Sequence, residues 1–272
     1  MKRLGVVGWP VAHSKSPQMQ NAALEAAGLS DSWNYELVPA EPDLAADLIR
    51  GLTDAGFVGA NVTIPHKELA LEVADSCDPM AKQIGAANHL EFRDGQIHAE
   101  NTDAVALASF AQSDFEGGLN RKAFAGKRVL VLGAGGTGRT AVSVTSVLGA
   151  DSVSVWNRTI ERAARIADEF GVECVKRPTL GGIDVLINTT TVGMDPTDTL
   201  EDIGIVSEAI AAVPYVVDFV YADHQTPLTT AAQEGGTTLI DGRELLVRQG
   251  AVSFQKWTGV APDLDVMRAA IA

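Results

Sequence analysis

Cysteine is nearly missing from this 272-residue chain. The two present, Cys77 and Cys174, have no CxxC partner and no histidine at metal spacing. That argues against a metal module and reads as two buried apolar thiols in a reducing compartment, the cytoplasm. Long apolar runs are missing too. None approaches the ~18 residues of a membrane span. The opening MKRLGVVGWPV is broken by Gly5, Gly8 and Pro10, so it reads as a first strand and not as a signal peptide. Positive charge is scarce: 21 Lys and Arg stand against 35 Asp and Glu, a net charge of −14. Such a chain repels polyanions and has no basic cluster to follow a phosphate backbone, so neither nucleic acid nor membrane is an expected partner. An anionic ligand must be caught by a local positive feature. Internal repeats and low-complexity segments are absent as well.

What is there is an ordinary globular composition, 46% hydrophobic and 21% charged, long enough for two domains. The first hundred residues alternate. Strands are expected at 3–8, 32–40 and 57–63, and helices at 16–29, 42–56 and 66–75. Ser16 is expected as the N-cap of its helix, with Pro17 in the first turn. ANHLEFRDGQIHAEN reads as two short strands around an Asp94–Gly95 turn. Strands separated by single helices imply a parallel sheet. A second unit begins near residue 104. A helix over 103–115 and a polar connector over 116–127 lead to strand, glycine loop and helix over 128–150. A further strand and helix follow at 151–171, then apolar strands within 183–190, 215–221 and 237–242. The tail from 243 is helical and then loses its pattern.

The fold class expected is therefore α/β. An N-terminal α/β domain with a mostly parallel sheet (1–103, completed by 244–272) is followed by a Rossmann-type, doubly wound dinucleotide-binding domain (104–243).

GAGGTG places Gly133, Gly135 and Gly138 in the GxGxxG spacing, after a strand core and at the start of a helix. Gly133 allows the tight turn, Gly135 a close backbone approach to pyrophosphate, and Gly138 close helix packing. Ala134, Gly136 and Thr137 complete the loop. The helix N-terminus adds partial positive charge. The next strand ends in Asn157–Arg158–Thr159, where an NAD site would carry Asp or Glu. Arg158 and, one turn on, Arg162 suit a 2′-phosphate through paired N–H donors, and Thr159 is a natural N-cap. The cofactor expected is NADP.

Three polar clusters fall at the ends of expected strands in the first unit: HSKSP with Ser14 and Ser16, NVTIPHK with Asn61, Thr63 and Lys67, and ENTD with Asp103. Asn88 follows a Gly–Ala step. Ligands of open parallel sheets bind outside the carboxyl ends of the strands. Hydroxyls and an ammonium suit a carboxylate, while carboxamide, carboxylate and lysine suit vicinal hydroxyls. The ligand expected is a small polyol acid. Lys67 opens a helix, where the dipole disfavours a cation, which points to a task for it.

HSKSP, NVTIPHK, GAANHL, NTD, GAGGTGR, NRT and DGRELLVRQG, in this order and at these spacings, resemble the shikimate dehydrogenases along essentially the whole chain. The resemblance implies an N-terminal domain that holds shikimate, a Rossmann domain that holds NADP, and C-terminal helices packed back on the first domain. It implies Lys67 and Asp103 as the catalytic pair and Ser14 and Ser16 at the substrate carboxylate. It adds Asn61, Thr63, Asn88, Tyr221 and Gln249 as further substrate contacts. Thr189, Thr190, Met194, Val220, Gly242 and Leu245 join the cofactor set, with Gly242 near the nicotinamide. Departures from the family pattern are His89 after Asn88, Ala104 and Ala106 after NTD, and Leu245 where methionine is expected. The reaction implied is reversible reduction of 3-dehydroshikimate by NADPH, by a monomer or homodimer in the cytoplasm without a metal. The rival readings are a quinate/shikimate dehydrogenase using NAD and a non-catalytic NADP-sensing regulator.

Overall fold

The computed structural model describes residues 1–112 and 124–272. Positions 113–123, which include the end of the helix expected over 103–115 and most of the connector, lie outside the described residues. The chain divides into two compact units, Met1–Ala106 with Leu246–Ala272, and Leu107–Leu245. The breaks fall inside two helices, a few residues from the boundaries expected at 103/104 and 243/244. Each unit is described by itself.

In the first unit the strands are β1 (Lys2–Gly8), β2 (Trp33–Pro39), β3 (Phe57–Val62), β4 (Ser76–Cys77), β5 (His89–Arg93) and β6 (Gln96–Glu100). They form one sheet in the order β2-β1-β3-β5-β6-β4. The helices are α1 (Ser16–Ala26), α2 (Ala45–Gly51), α3 (Lys67–Glu72) and α4 (Pro79–Ile84). β1 pairs parallel with β2 and β3, as the alternation of strand and helix requires. β5 runs antiparallel to both β3 and β6; the second pairing follows from the Asp94–Gly95 hairpin (φ 51° and 76°), which reverses the chain within two residues. One consequence sets up the site. The start of β5 lies at the same edge as the ends of β3 and β6, since Asn61 pairs with His89 and His89 with Glu100.

One face of this sheet packs Val7, Ala60, Val62, Leu90, Phe92, Ile97 and Ala99 against Ile49, Leu52 and Ala70 in a closed apolar cluster. The other face carries Tyr35, Gly59, Asn61 and His89. It is covered by α9 (Gly242–Thr258), whose Trp257 donates from Nε1 to the Leu90 carbonyl at 3.0 Å and stacks on His89 at 4.8 Å. Gly59 has no side chain for a reason: a Cβ there would sit on the Trp257 indole. α10 (Leu264–Ala270) closes the chain and packs on α1. It is capped by Asp263, which accepts from the N–H groups of Asp265 and Val266. This helix replaces the patternless tail expected from sequence.

The second unit contains β7 (Arg128–Leu132), α6 (Gly136–Val147), β8 (Ser152–Trp156), α7 (Ile160–Phe170), β9 (Glu173–Cys174), β10 (Val185–Asn188), β11 (Tyr215–Asp218), α8 (Pro227–Glu234) and β12 (Thr238–Ile240). α5 (Thr102–Gln112) enters it from the first unit. The sheet order is β12-β11-β10-β7-β8-β9, parallel at every pairing. Read from the other edge, this is the doubly wound 3-2-1-4-5-6 order, whose reversal point lies between β7 and β10. The strands are short and β-branched on both faces, as burial beneath helices demands. Val185, Leu186, Ile187, Val216 and Val217 are fully buried.

Candidate active site

The 2-1-3 order of β2, β1 and β3 makes the carboxyl ends of β1 and β3 the natural crevice of the first unit. The loop after β1 carries Ser14 and Ser16. Helix α1 begins at Ser16 itself, so the cap position is Lys15, without a side-chain cap bond. Ser16 is therefore not the cap expected from sequence: the Ser14 hydroxyl accepts from the Ser16 N–H at 3.3 Å, and the Ser16 hydroxyl is released from helix capping. The loop after β3 carries Thr63, half-buried, whose N–H donates to the Val7 carbonyl at 2.8 Å. Gly8 leaves room for its methyl group. His66, buried, bonds through Nε2 to the Ala40 carbonyl at 2.8 Å, fixing the turn into α3.

Lys67, the first residue of α3, donates from Nζ to Asp103 Oδ2, thirty-six positions away. The two side chains are 13% and 8% exposed, so the pair is sheltered yet reachable. Asp103 sits in the first turn of α5, where the helix dipole favours a carboxylate. Its other oxygen is held by Asn88, whose Nδ2 donates to Asp103 Oδ1 at 2.9 Å. The orientation of the Asn88 amide is set from behind. Its Oδ1 accepts from the Thr102 N–H at 2.7 Å and the Thr102 hydroxyl at 3.1 Å, while Nδ2 also reaches Gln249 Oε1 at 3.3 Å. Asn61 is also engaged at both ends of its amide. Its Oδ1 accepts from the Tyr35 hydroxyl at 2.9 Å, and its Nδ2 donates to Ser253 Oγ at 2.9 Å and to the Asn88 carbonyl at 3.1 Å. Ser253 Oγ lies 3.3 Å from Thr102 Oγ1, which closes the network.

Thus Lys67, Asn88, Asp103 and Gln249 come together, with Asn61 one residue behind. Tyr35, Thr102 and Ser253, which sequence reasoning did not select, hold them in place. Thr102 was legible as the middle residue of NTD, but Tyr35 and Ser253 carry no local signal. His89 lies further back, buried, with neither ring nitrogen hydrogen-bonded. Burial pushes its pKa below the ordinary histidine value, against the pull of the Glu91 carboxylate 3.8 Å from Nε2.

In the second unit the glycine loop follows β7. Gly133 adopts φ 107°, and a Cβ there would run into Thr189. A Cβ on Gly138 would strike the Gly133 carbonyl, so this glycine seats α6 on the turn. At Gly135 a Cβ would meet nothing within 4 Å. That open approach to the start of α6, where the N–H groups of Gly136 and Thr137 begin the helix, fits a dinucleotide pyrophosphate. The Ala134 N–H donates to Asn157 Oδ1 at 3.2 Å, and Asn157 Nδ2 donates to the Thr159 carbonyl at 3.0 Å. Asn157 therefore ties the glycine loop to the start of α7 in the place where a ribose-binding carboxylate would stand. Thr159 takes the N-cap position of α7 without a side-chain cap bond. Arg158 and Arg162 are exposed beside it. The hydrogen bonds of Thr199, with a smaller contribution from the Arg158 charge, hold Asp202 below the ordinary carboxyl value.

Beyond β10, the Thr189 hydroxyl donates to the Leu132 carbonyl at 2.7 Å, and the Thr190 hydroxyl donates to Asn188 Oδ1 at 2.8 Å. Met194 is half-buried in the same loop, Val220 and Leu245 are buried, and Tyr221 follows β11 in this unit. Gly242 is a packing requirement, since a Cβ would collide with the Val220 carbonyl. Among the described residues there is no cluster of three metal-ligating side chains, and no helix is long and apolar enough to cross a membrane.

A doubly wound sheet with a glycine turn at its reversal point, in a chain that also holds a sheltered ammonium–carboxylate pair, defines a dinucleotide-dependent oxidoreductase. Comparison with known proteins makes the class specific. Residues 6–90 match the shikimate dehydrogenase substrate binding domain, residues 110–203 the shikimate / quinate 5-dehydrogenase family, and residues 242–272 the shikimate 5'-dehydrogenase C-terminal domain. A curated relative named shikimate dehydrogenase (NADP(+)) from Paracoccus denitrificans is 38% identical, over 96% of this chain and 92% of its own. One of the same name from an Exiguobacterium species is 37% identical, over 97% and 95%. Among solved structures, shikimate 5-dehydrogenase from Thermus thermophilus in complex with NADP(H) and shikimate superposes with a TM-score of 0.83 at 34% identity, covering 100% of this chain and 98% of that one. Shikimate dehydrogenase from Aquifex aeolicus gives 0.86 at 32% identity, covering 100% and 97%. The chain belongs to the shikimate dehydrogenase family.

Proposed function

We propose that the protein is an NADP-dependent shikimate dehydrogenase, interconverting 3-dehydroshikimate and shikimate. The observation that carries the reading is the Lys67–Asp103 pair, fixed from behind by Asn88 at the shared edge of β3, β5 and β6. The relatives that match along the whole chain carry this activity in their names.

In this reading Ser14, Ser16 and Thr63 hold the substrate carboxylate and a neighbouring hydroxyl, with Asn61 and Gln249 beside them. NADP, held by Gly133–Gly138 at the pyrophosphate and by Arg158 and Arg162 at the 2′-phosphate, supplies the hydride when bound. Asn157 and Thr159 shape the adenosine end, while Thr189, Thr190, Met194, Val220, Gly242 and Leu245 take the nicotinamide end. Lys67 Nζ stands beside the Asp103 carboxyl group. In the reducing direction it stabilises the charge that develops on the carbonyl oxygen and delivers the proton there. Asp103 orients Lys67 and the neighbouring substrate hydroxyl, and in the reverse direction the proton returns from that hydroxyl to Lys67 along the same path. The absence of a carboxylate after β8 supports NADP over NAD. The free thiols of Cys77 and Cys174 fit a reducing cytoplasm.

Initial rates followed at 340 nm, with shikimate and quinate each against NADP+ and NAD+, test the reading. Turnover is expected with shikimate and NADP+. Its absence overturns the assignment, and a preference for NAD+ overturns the role of Arg158. Lys67→Ala is expected to lower kcat by about 10²- to 10⁴-fold with little change in shikimate KM; an unaltered kcat removes Lys67 from the chemistry.

A further inference from the structure

β10 and β11 end around one carboxylate that this chemistry does not use. Asp218 closes β11 and has no solvent exposure. Its Oδ1 accepts from Asn188 Nδ2 at 2.9 Å and from the Val220 N–H at 3.1 Å, and its Oδ2 accepts from the Thr226 hydroxyl at 2.6 Å. Asn188 belongs to one segment, and Val220 and Thr226 stand at the two ends of another. Asn188 ends β10, and its own Oδ1 accepts from the Thr190 N–H at 3.1 Å while its Nδ2 reaches the Val192 carbonyl at 3.3 Å. Val220 begins the loop after β11. Thr226 caps α8, accepting from the Thr229 N–H at 3.0 Å.

Nor is there slack between these segments. A Cβ on Gly193, which has φ 106°, would stand 2.9 Å from Thr226 Cβ. Simple packing at this place calls for an apolar side chain, because a buried carboxylate is costly to desolvate. That cost is visible: burial pushes the Asp218 pKa up to about 6 against the pull of its three donors. What the carboxylate provides, and an apolar group does not, is acceptors for donors from the ends of both loops at once.

The strand order says what those segments serve. β10 and β11 lie on the opposite side of β7 from β8. With the 2′-phosphate end at Arg158 after β8, a dinucleotide crossing the glycine loop carries its nicotinamide half over the loops that follow β10 and β11. We propose that Asp218 is a positioning residue for the nicotinamide half of the cofactor: by binding Asn188, Val220 and Thr226 together it presets the 189–194 and 219–226 loops as one wall. This rests on the cofactor placement given above.

Equilibrium binding of NADP+ and of 2′-phospho-ADP-ribose, which lacks only the nicotinamide, tests it in the intact protein. Asp218→Ala is expected to weaken NADP+ about tenfold and the fragment less than twofold, with shikimate KM within twofold. Asp218→Asn keeps an acceptor oxygen for Asn188 and Val220 and presents an amide to the Thr226 hydroxyl. It is expected to recover to within threefold of wild type. Equal weakening of both ligands, an unchanged NADP+ affinity in Asp218→Ala, or an Asp218→Asn as weak as Asp218→Ala each overturns the proposal. Should Asp218→Ala fail to fold, Thr226→Val removes one of the three bonds, and with it the α8 cap, at nearly constant volume. A threefold or larger loss for NADP+ alone then supports the proposal, and no selective loss overturns it. Wild-type protein that binds neither ligand refutes the cofactor placement itself, a separate result.

Discussion

Asn88→Ala probes the network behind the proposed dyad. Asn88 is buried, and its amide bridges Asp103 and Thr102. Truncation removes a 2.9 Å hydrogen bond to the Asp103 carboxylate and strands the Thr102 N–H, which donates across 2.7 Å. The Thr102 hydroxyl keeps Ser253 at 3.3 Å and so is not orphaned. A bond to a charged group contributes roughly 1.5–3 kcal/mol and a buried unpaired N–H costs about 1–3 kcal/mol, so the loss is on the order of 3–5 kcal/mol. At roughly 2–4 °C per kcal/mol for a chain of this size, differential scanning calorimetry should show the first unit melting about 6–20 °C lower. Asp103 also loses the contact that fixes the rotation of its carboxylate, and Lys67 loses a fixed partner. A misplacement of about 1 Å can cost 10²-fold in rate, so kcat is expected to fall about 10- to 100-fold. Asn88→Asp should be worse, because it sets two carboxylates where a 2.9 Å bond now stands. An Asn88→Ala protein that melts within 2 °C of wild type and turns over within twofold refutes the argument that this amide orients the pair.

Gly59→Ala drives a methyl group into the Trp257 indole, which must give up its 3.0 Å bond to Leu90. Overpacking and the lost bond together predict about 2–4 kcal/mol of destabilisation in chemical denaturation, and a neutral result shows that α9 can shift freely. Arg158→Ala is expected to raise KM for NADP+ about 10- to 100-fold while leaving NAD+ within threefold, since a phosphate–guanidinium contact is a charge-assisted one; equal effects on both cofactors contradict the 2′-phosphate role. Asp218 carries a pH signature. Its folded pKa, about 6, lies above the 3.8 of an unperturbed carboxyl. The proton is therefore held more tightly in the folded state, and the resulting stability is complete below about pH 4 and lost as pH rises through about 6. The difference of about two units corresponds to about 3 kcal/mol. Asp218→Asn, which does not titrate, should gain that much on wild type between pH 4 and 7.5 in urea titrations; a pH-independent difference contradicts the shift.

The glycine loop, the NADP choice and the alternation of strand and helix were legible because each depends on a short stretch of chain. GAGGTG between an apolar strand and a helix admits few other readings, and an asparagine with an arginine beside it where a carboxylate belongs is a local fact. Other features were too small or too indirect. β4 and β9 are two residues each, below any periodicity. α4 was readable after the fact: Asp78 caps it, Pro79 opens it and Gly85 ends it at φ 74°, yet six residues make a weak helical pattern. Ser16 was read as a cap because it precedes a proline, but the helix starts one residue sooner than that rule places it.

Sequence alone determined which chemical groups this chain has to deploy, and at which ends of which strands, because turn formers, caps and apolar periodicity act over a few residues. It could not determine that the expected β5–β6 hairpin joins the sheet with β5 running against β3. That single reversal brings Asn88 to the edge where Lys67 and Asp103 meet. Nor could it show that Tyr35, Thr102 and Ser253 stand behind them, or that Asp218 ties the loops after β10 and β11 together. Those are partnerships between residues far apart in the chain. They form only when a buried polar group must find a donor or acceptor and the packed sheet leaves one within reach.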